Sequence, residues 1–221
     1  MDFPSLVQKY KNTKTIFIVG GGPSLEMIDR SIIDPTKHKI ITCNNSYKLY
    51  PNAMISHHSD VNWWKINKDS LLEIFQGELI TGCGLGSNVT GYTSEVEHIK
   101  YEVNKFSPIC DTAYGINSSH QAIVLAHYFE PTYIVLLGLD HTTHKNKTHW
   151  NGASWMEDLS VKRANELLKK GLKWLHRFNI DREKLLSEAD FQPPYPQIIN
   201  VSPITKVTTF EKYNEIPDFV F

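Results

Sequence analysis

Short, continuously apolar blocks recur along this chain, and small or polar residues stop each one. Thr15-Ile16-Phe17-Ile18-Val19 is apolar and largely β-branched up to Gly20. Such a run has no polar side to offer water, which predicts a strand covered on both faces within a parallel sheet. Lys39–Cys43, Ala53–His57, Glu78–Thr81, Tyr133–Leu137 and Ile198–Val201 repeat the pattern. Helical spacing separates them. Ser118–Phe129 places Ala122, Leu125, Ala126 and Phe129 on one face, and Val161–Phe178 reads as a long amphipathic helix whose Lys169, Lys170 and Lys173 form a solvated side. Ser24–Ile28 is expected to open a helix with Ser24 as its cap. Strands alternating with helices predict an α/β, doubly wound, mostly parallel sheet. No repeat or low-complexity linker divides residues 1–221, so one domain is expected.

The residues that stop the strands carry the chemistry. They are Gly20-Gly21-Gly22-Pro23-Ser24, Cys43-Asn44-Asn45-Ser46, His57-His58-Ser59-Asp60, Gly82-Cys83-Gly84-Leu85-Gly86-Ser87 and Gly138-Leu139-Asp140-His141. Ligands of open α/β sheets bind outside the carboxyl ends of the strands, so these residues converge on one edge. The first of these loops lets the backbone approach a ligand closely, ahead of the unpaired N–H groups of a following helix. Leu25 stands where a dinucleotide fingerprint has its third glycine, and no Walker lysine follows. The loop alone therefore reads equally as a ligand cradle or as a tight turn. Gly82–Ser87 carries the same two readings.

Composition narrows the classes. With 41% hydrophobic and 21% charged residues, the 221-residue chain has an ordinary globular balance. Its 23 basic and 24 acidic residues nearly cancel, which argues against duplex DNA or an anionic membrane as partner. No apolar run approaches the ~18 residues of a membrane span, and no signal peptide is read at Met1-Asp2-Phe3-Pro4, so a cytoplasmic location is expected. Cys43, Cys83 and Cys110 fit neither a zinc ribbon nor a disulfide framework and are expected to be buried free thiols.

Several segments in order resemble a known group. Ile18-Val19-Gly20-Gly21-Gly22-Pro23-Ser24-Leu25 resembles the G-x-G-P-S-L motif of the bacterial sialyltransferases of glycosyltransferase family 42. It is also similar to the related "domain of unknown function 115" group, which includes a 6-hydroxymethylpterin diphosphokinase. Cys43-Asn44-Asn45-Ser46-Tyr47 looks like the sialyltransferase C-N-x-x-Y segment. Gly115–Asp140 reproduces a loop, a helix, a strand and G-[IL]-D, and Asn200-Val201-Ser202-Pro203 resembles the closing polar motif. The order agrees over about residues 14–210. The resemblance implies a Rossmann-like fold with a nucleotide across the strand ends and a lid at about 141–160, after the Gly138–Asp140 strand end. By position it places nucleotide-binding roles on Gly21, Gly22, Ser24, Asn44, Gly115, Asn117, Ser118 and Asp140. Gly20, Ser59, Asp60 and Gly138, at the same strand ends, complete the set. The sialyltransferase loop carries asparagine where this chain has Gly21, and Ser59-Asp60 stands where a further asparagine is found. Both departures bear on the donor more than on the fold.

Glycosyl transfer needs a base for the acceptor and a stabiliser for the leaving phosphate. The sialyltransferase base lies in the lid interval, where His149 in Thr148-His149-Trp150 is the best positional match and His144 the second. A solvated loop histidine is the bland reading of either. His141 and His144 with Asp140, or His57 and His58 with Asp60, have metal-ligand chemistry without an established helical spacing. Adjacent strand histidines point to opposite faces. No tightly bound cofactor is expected. Mg²⁺ brought by a nucleotide would use Asp60 and Asp140. Trp63, Trp64, Trp150 and Trp155 read as core or as stacking platforms, with Trp150 and Trp155 closer to a lid role. The expected substrate is a nucleotide-sugar, with CMP or another pyrimidine nucleotide favoured. The acceptor class stays open between glycan, small molecule and modified nucleic-acid base. The alternatives are a Mg-ATP-dependent pyrophosphokinase and a non-catalytic nucleotide binder. The sialyltransferases assemble into oligomers, so the resemblance also brings the expectation of a homo-oligomer.

Overall fold

A computed structural model describes residues 2–82, 96–98, 100–102, 112–151, 161–188 and 195–221. In chain order the elements are α1 (Phe3–Tyr10), β1 (Thr15–Val19), β2 (Lys39–Cys43), β3 (Ile55–His58), α2 (Val61–Ile74), β4 (Glu78–Thr81), β5 (Val96–His98), β6 (Lys100–Glu102), β7 (Thr112–Tyr114), α3 (Ser118–His127), β8 (Tyr133–Leu137), α4 (Val161–Glu188), β9 (Gln197–Val201) and β10 (Glu211–Tyr213). Eight strands form one sheet in the order β10-β9-β8-β1-β2-β3-β4-β5, every pairing parallel, and β6 and β7 pair separately. The fold is α/β and Rossmann-like.

Side-chain alternation divides the core. Ile16 and Ile18 of β1, Ile41 of β2, and Ile134 and Leu136 of β8 face a layer containing Phe3, Ala122, Leu125, Leu175 and Phe178, from α1, α3 and α4. Phe17, Val19, Ile40, Val135 and Leu137 face the other way, onto Leu25, Ile28, Ile216 and Val220. The β3 histidines follow the same rule. His57 bonds Gln121 of α3 at 3.0 Å, whereas the His58 ring stacks on Trp64 of α2, 5.1 Å between centroids and 6° from parallel. They point to opposite faces and do not converge on one ligand. Trp64 is core, while Trp63 is partly buried and donates from Nε1 to Asn45 Oδ1 at 3.0 Å.

Several expected boundaries shift. Pro23–Glu26 is one turn of 3-10 helix with Gly22 at its cap position, so Ser24 lies inside the turn and caps nothing. The helix from Ser118 ends at His127, and the one from Val161 continues to Glu188. The third strand starts at Ile55, two residues later than expected. Among the described residues no helix is long and apolar enough to cross a membrane.

Candidate functional site

Chain order reverses between β1 and β8: the chain runs outward from β1 through β2 to β5, and from β8 through β10 on the other side. A crevice at the carboxyl ends is expected at such a switch point. The loops from both strands meet there. Gly20 N–H donates to Leu137 O at 2.8 Å, Gly22 N–H to Gly138 O at 2.7 Å, and Ser24 N–H to Asp140 Oδ2 at 2.8 Å. Ser46 Oγ donates to Gly20 O. A Cβ on Gly22 would overlap Asp140 Oδ2 and stand 2.6 Å from Gly138 O, so this approach requires glycine. Gly138 itself has φ +67°, the left-handed region.

Asp140 is 3% exposed. Its backbone carbonyl accepts from Lys206 N–H at 2.9 Å and from Thr205 Oγ at 3.3 Å, which ties the β8 end to the segment after β9. Its Oδ2 is held by Ser24, but Oδ1 is buried without a partner among the described residues, and Ser24 Oγ is in the same condition. Buried polar atoms are nearly always bonded, so an orphaned carboxylate oxygen at the strand ends marks a place for a donor.

On the other side of β1, three candidates form one cluster. Ser118 Oγ donates to Asn44 Oδ1 at 3.0 Å and accepts from Ser59 N–H at 3.0 Å, with Ser59 Oγ also at 3.0 Å. Asn44 sits at φ 51°, a conformation asparagine tolerates. Asn117 caps α3, its Oδ1 accepting from His120 N–H at 2.9 Å. Gly115 precedes it, and its carbonyl accepts from Gln121 Nε2 at 3.3 Å. The ten-residue α3 thus begins among Asn44, Ser59 and Ser118 with its positive dipole end toward the edge. Asp60 serves a different purpose: its Oδ1 caps α2, accepting from Asn62 N–H at 2.8 Å and Trp63 N–H at 3.2 Å. Among the described residues no three His, Cys, Asp or Glu side chains converge as a metal site.

Residues 141–151 fold back over the first loop. His144 and Lys147 exchange backbone hydrogen bonds of 3.0 and 2.9 Å around Lys145 (φ 48°) and Asn146 (φ 62°), the signature of a type I′ turn. Lys147 Nζ lies 3.8 Å from Glu26, and Trp150 N–H donates to Gly21 O at 3.0 Å. Trp150 is partly buried and packs against the core layer that contains Leu25. The two candidate histidines part here: His144 opens the hairpin, whereas the His149 ring lies directly against Gly21. Thr148 Oγ meets His149 Nδ1 at 3.0 Å, and burial pushes the imidazole down to about 4, so it is neutral near pH 7. Cys83, Cys110, most of the Gly82–Ser87 loop, Trp155 and residues 152–160 of the expected lid lie outside the described residues.

Sequence reasoning missed a histidine layer beneath α3. His120 Nε2 and His141 Nε2 are 3.1 Å apart, and the His120 ring stacks on Trp174 at 4.3 Å and 8°. His141, at φ 47°, fits against Gly171 of α4. Burial pushes His57 and His141 down to about 4, partly offset by Gln121 and by the Leu168 backbone, and His120 well below the usual range. Burial and the nearby Arg182 guanidinium take His127 down to about 3. The available signal was His120-Gln121 on the otherwise apolar face of α3.

No family model matches the chain, and no curated protein matches it. Among solved structures it is similar to the MAf glycosyltransferase from Magnetospirillum magneticum AMB-1, with a TM-score of 0.54 and 13% sequence identity over 92% of this chain. The chain spans about a third (34%) of that protein's length. At this identity the likeness is one of fold, and it agrees with the parallel sheet.

Proposed function

We propose that the carboxyl edge of the sheet binds a nucleotide-activated sugar and that the protein is a glycosyltransferase, with CMP or another pyrimidine nucleotide as the leaving group. The observation that carries this reading is Asp140, buried at the switch point with Oδ1 unpartnered beside the glycine loop. A carboxylate there repels phosphate and accepts from hydroxyl or amino groups, so it suits the ribose or the base. The amides of Gly20, Gly22 and Ser24 already have protein acceptors, which directs the phosphate to the start of α3, at Asn117 and Ser118. His149 would serve as general base. It is neutral near pH 7, and an incoming phosphate would raise its proton affinity. The glycosyltransferase fold neighbour supports the same class of chemistry.

The same Asp140 oxygen is also a hard ligand suited to Mg²⁺, which favours Mg-ATP-dependent pyrophosphoryl transfer as the second reading. A thermal-shift panel of CMP, UDP, GDP, ATP and their sugar conjugates, with and without Mg²⁺, separates them. The leading reading expects a metal-independent rise in Tm with a pyrimidine nucleotide and its sugar conjugate. Stabilisation by ATP alone, and only with Mg²⁺, favours the second. No shift with any nucleotide overturns both.

A further inference from the structure

The first loop has no side chain at position 21, yet the space is filled. A Cβ built on Gly21 would stand 2.5 Å from His149 Cδ2, closer than real Cβ atoms come, and 3.1 Å from His149 Nε2, a tight contact. A side chain at position 21 would therefore require the His149 ring to move off the loop. The seat is held from both ends. Trp150 N–H, next in sequence, bonds Gly21 O at 3.0 Å, and Lys147, two residues before, pairs with Glu26 at 3.8 Å. Thr148 Oγ engages His149 Nδ1, which leaves Nε2 on the loop side with no protein partner among the described residues.

We propose that Gly21 and His149 form one specificity-determining unit, in which the loop omits its own side chain so that an imidazole borne on the 141–151 segment takes that place over the bound nucleotide. The proposal rests on the nucleotide site described above and changes what His149 does there. Its Nε2 meets the nucleotide portion of the donor over the glycine loop, so nucleotide affinity as well as turnover depends on it. Contact with the nucleotide in turn depends on the absence of a side chain at residue 21.

The test uses wild type, Gly21→Ala, His149→Ala and the double variant. In the ligand-free protein, NMR should show a nuclear Overhauser effect between His149 Hδ2 and the Gly21 α-protons, and Gly21→Ala should abolish it. Each single variant should weaken binding of CMP about tenfold by calorimetry, and the double variant should be no weaker than either single, because both remove the same contact. Additive losses in the double variant, or full affinity in Gly21→Ala with the Overhauser effect gone, would overturn the proposal. An absent Overhauser effect in wild type overturns the seat whatever the nucleotide does. A present effect with no nucleotide bound by any variant keeps the seat and overturns the nucleotide reading. Because His149 is only partly buried on a surface segment, His149→Ala keeps the binding test readable even where Gly21→Ala folds poorly.

Discussion

The glycine loop after β1 and the first turn of α3 reach the same sheet edge, and they dispose of their polar groups in opposite ways. The loop turns its amides inward, to Leu137, Gly138 and Asp140, and its carbonyls at Gly20 and Gly21 are taken by Ser46 and Trp150. The helix start is held by side chains instead: Asn117 as cap, with Asn44, Ser59 and Ser118 bonded to one another in front of it. The difference lies in where the donors are spent: the Gly20, Gly22 and Ser24 amides already have protein acceptors. Here its glycines serve close backbone packing between β1 and β8, and a ten-residue helix is left to present a positive end.

Acid should break the helix side most strongly. His120 and His127 belong to α3 and His57 and His141 pack against it, all with folded-state pKa values below the ~6.5 of an unfolded histidine. The unfolded chain then binds protons that the folded chain does not, so stability is full above about pH 6.5 and falls as the pH drops toward 4. For His57, moved to about 4, the loss across that window is about 3 kcal/mol. Urea unfolding at pH 7 and pH 5 checks it; equal midpoints would contradict the buried neutral layer.

Gly22→Ala should break the loop side, destabilising by about 3 kcal/mol, because the new methyl overlaps Asp140 Oδ2 and the Gly138 carbonyl. Asp140→Ala should lower stability by about 2 kcal/mol through the stranded Ser24 amide, and Asp140→Asn should recover part of that while nucleotide affinity stays reduced. Ser118→Ala removes the shared partner of Asn44 and Ser59 and should cost about 1 kcal/mol in thermal unfolding. A comparable effect is expected at Asp60: Asp60→Ala should cost about 1 kcal/mol as a lost cap, and Asp60→Asn should restore it.

Much of the fold was legible because strand burial is written in continuous apolar runs. Thr15–Val19, Lys39–Cys43, Glu78–Thr81 and Tyr133–Leu137 have the bounds the pattern predicts. β10 was not, since Glu211-Lys212-Tyr213 is a three-residue, largely polar edge strand with no apolar run to mark it. The turn at Ser24 misled because serine ahead of Leu25-Glu26-Met27-Ile28 looks like a cap, whereas Gly22 holds that position and the turn ends after four residues. At the site, the ordered strand-end motifs pointed to residues that the fold does bring together: Asn44, Ser59 and Ser118 in one cluster, and Gly22, Ser24 and Asp140 in another. The pairing of His149 with Gly21 and of His120 with His141 was hidden. Each joins residues far apart in sequence through ring packing, which no local pattern records.

The most direct test is an amide chemical-shift titration of the ligand-free protein with CMP. The account predicts that the largest shifts fall at Ser118 and its neighbours at the start of α3, with smaller ones at Ser24 and Trp150. Shifts confined to the cleft of about 330 Å³ at the opposite edge, lined by Lys9, Tyr10 and Lys39, or no shifts at any concentration, would contradict it.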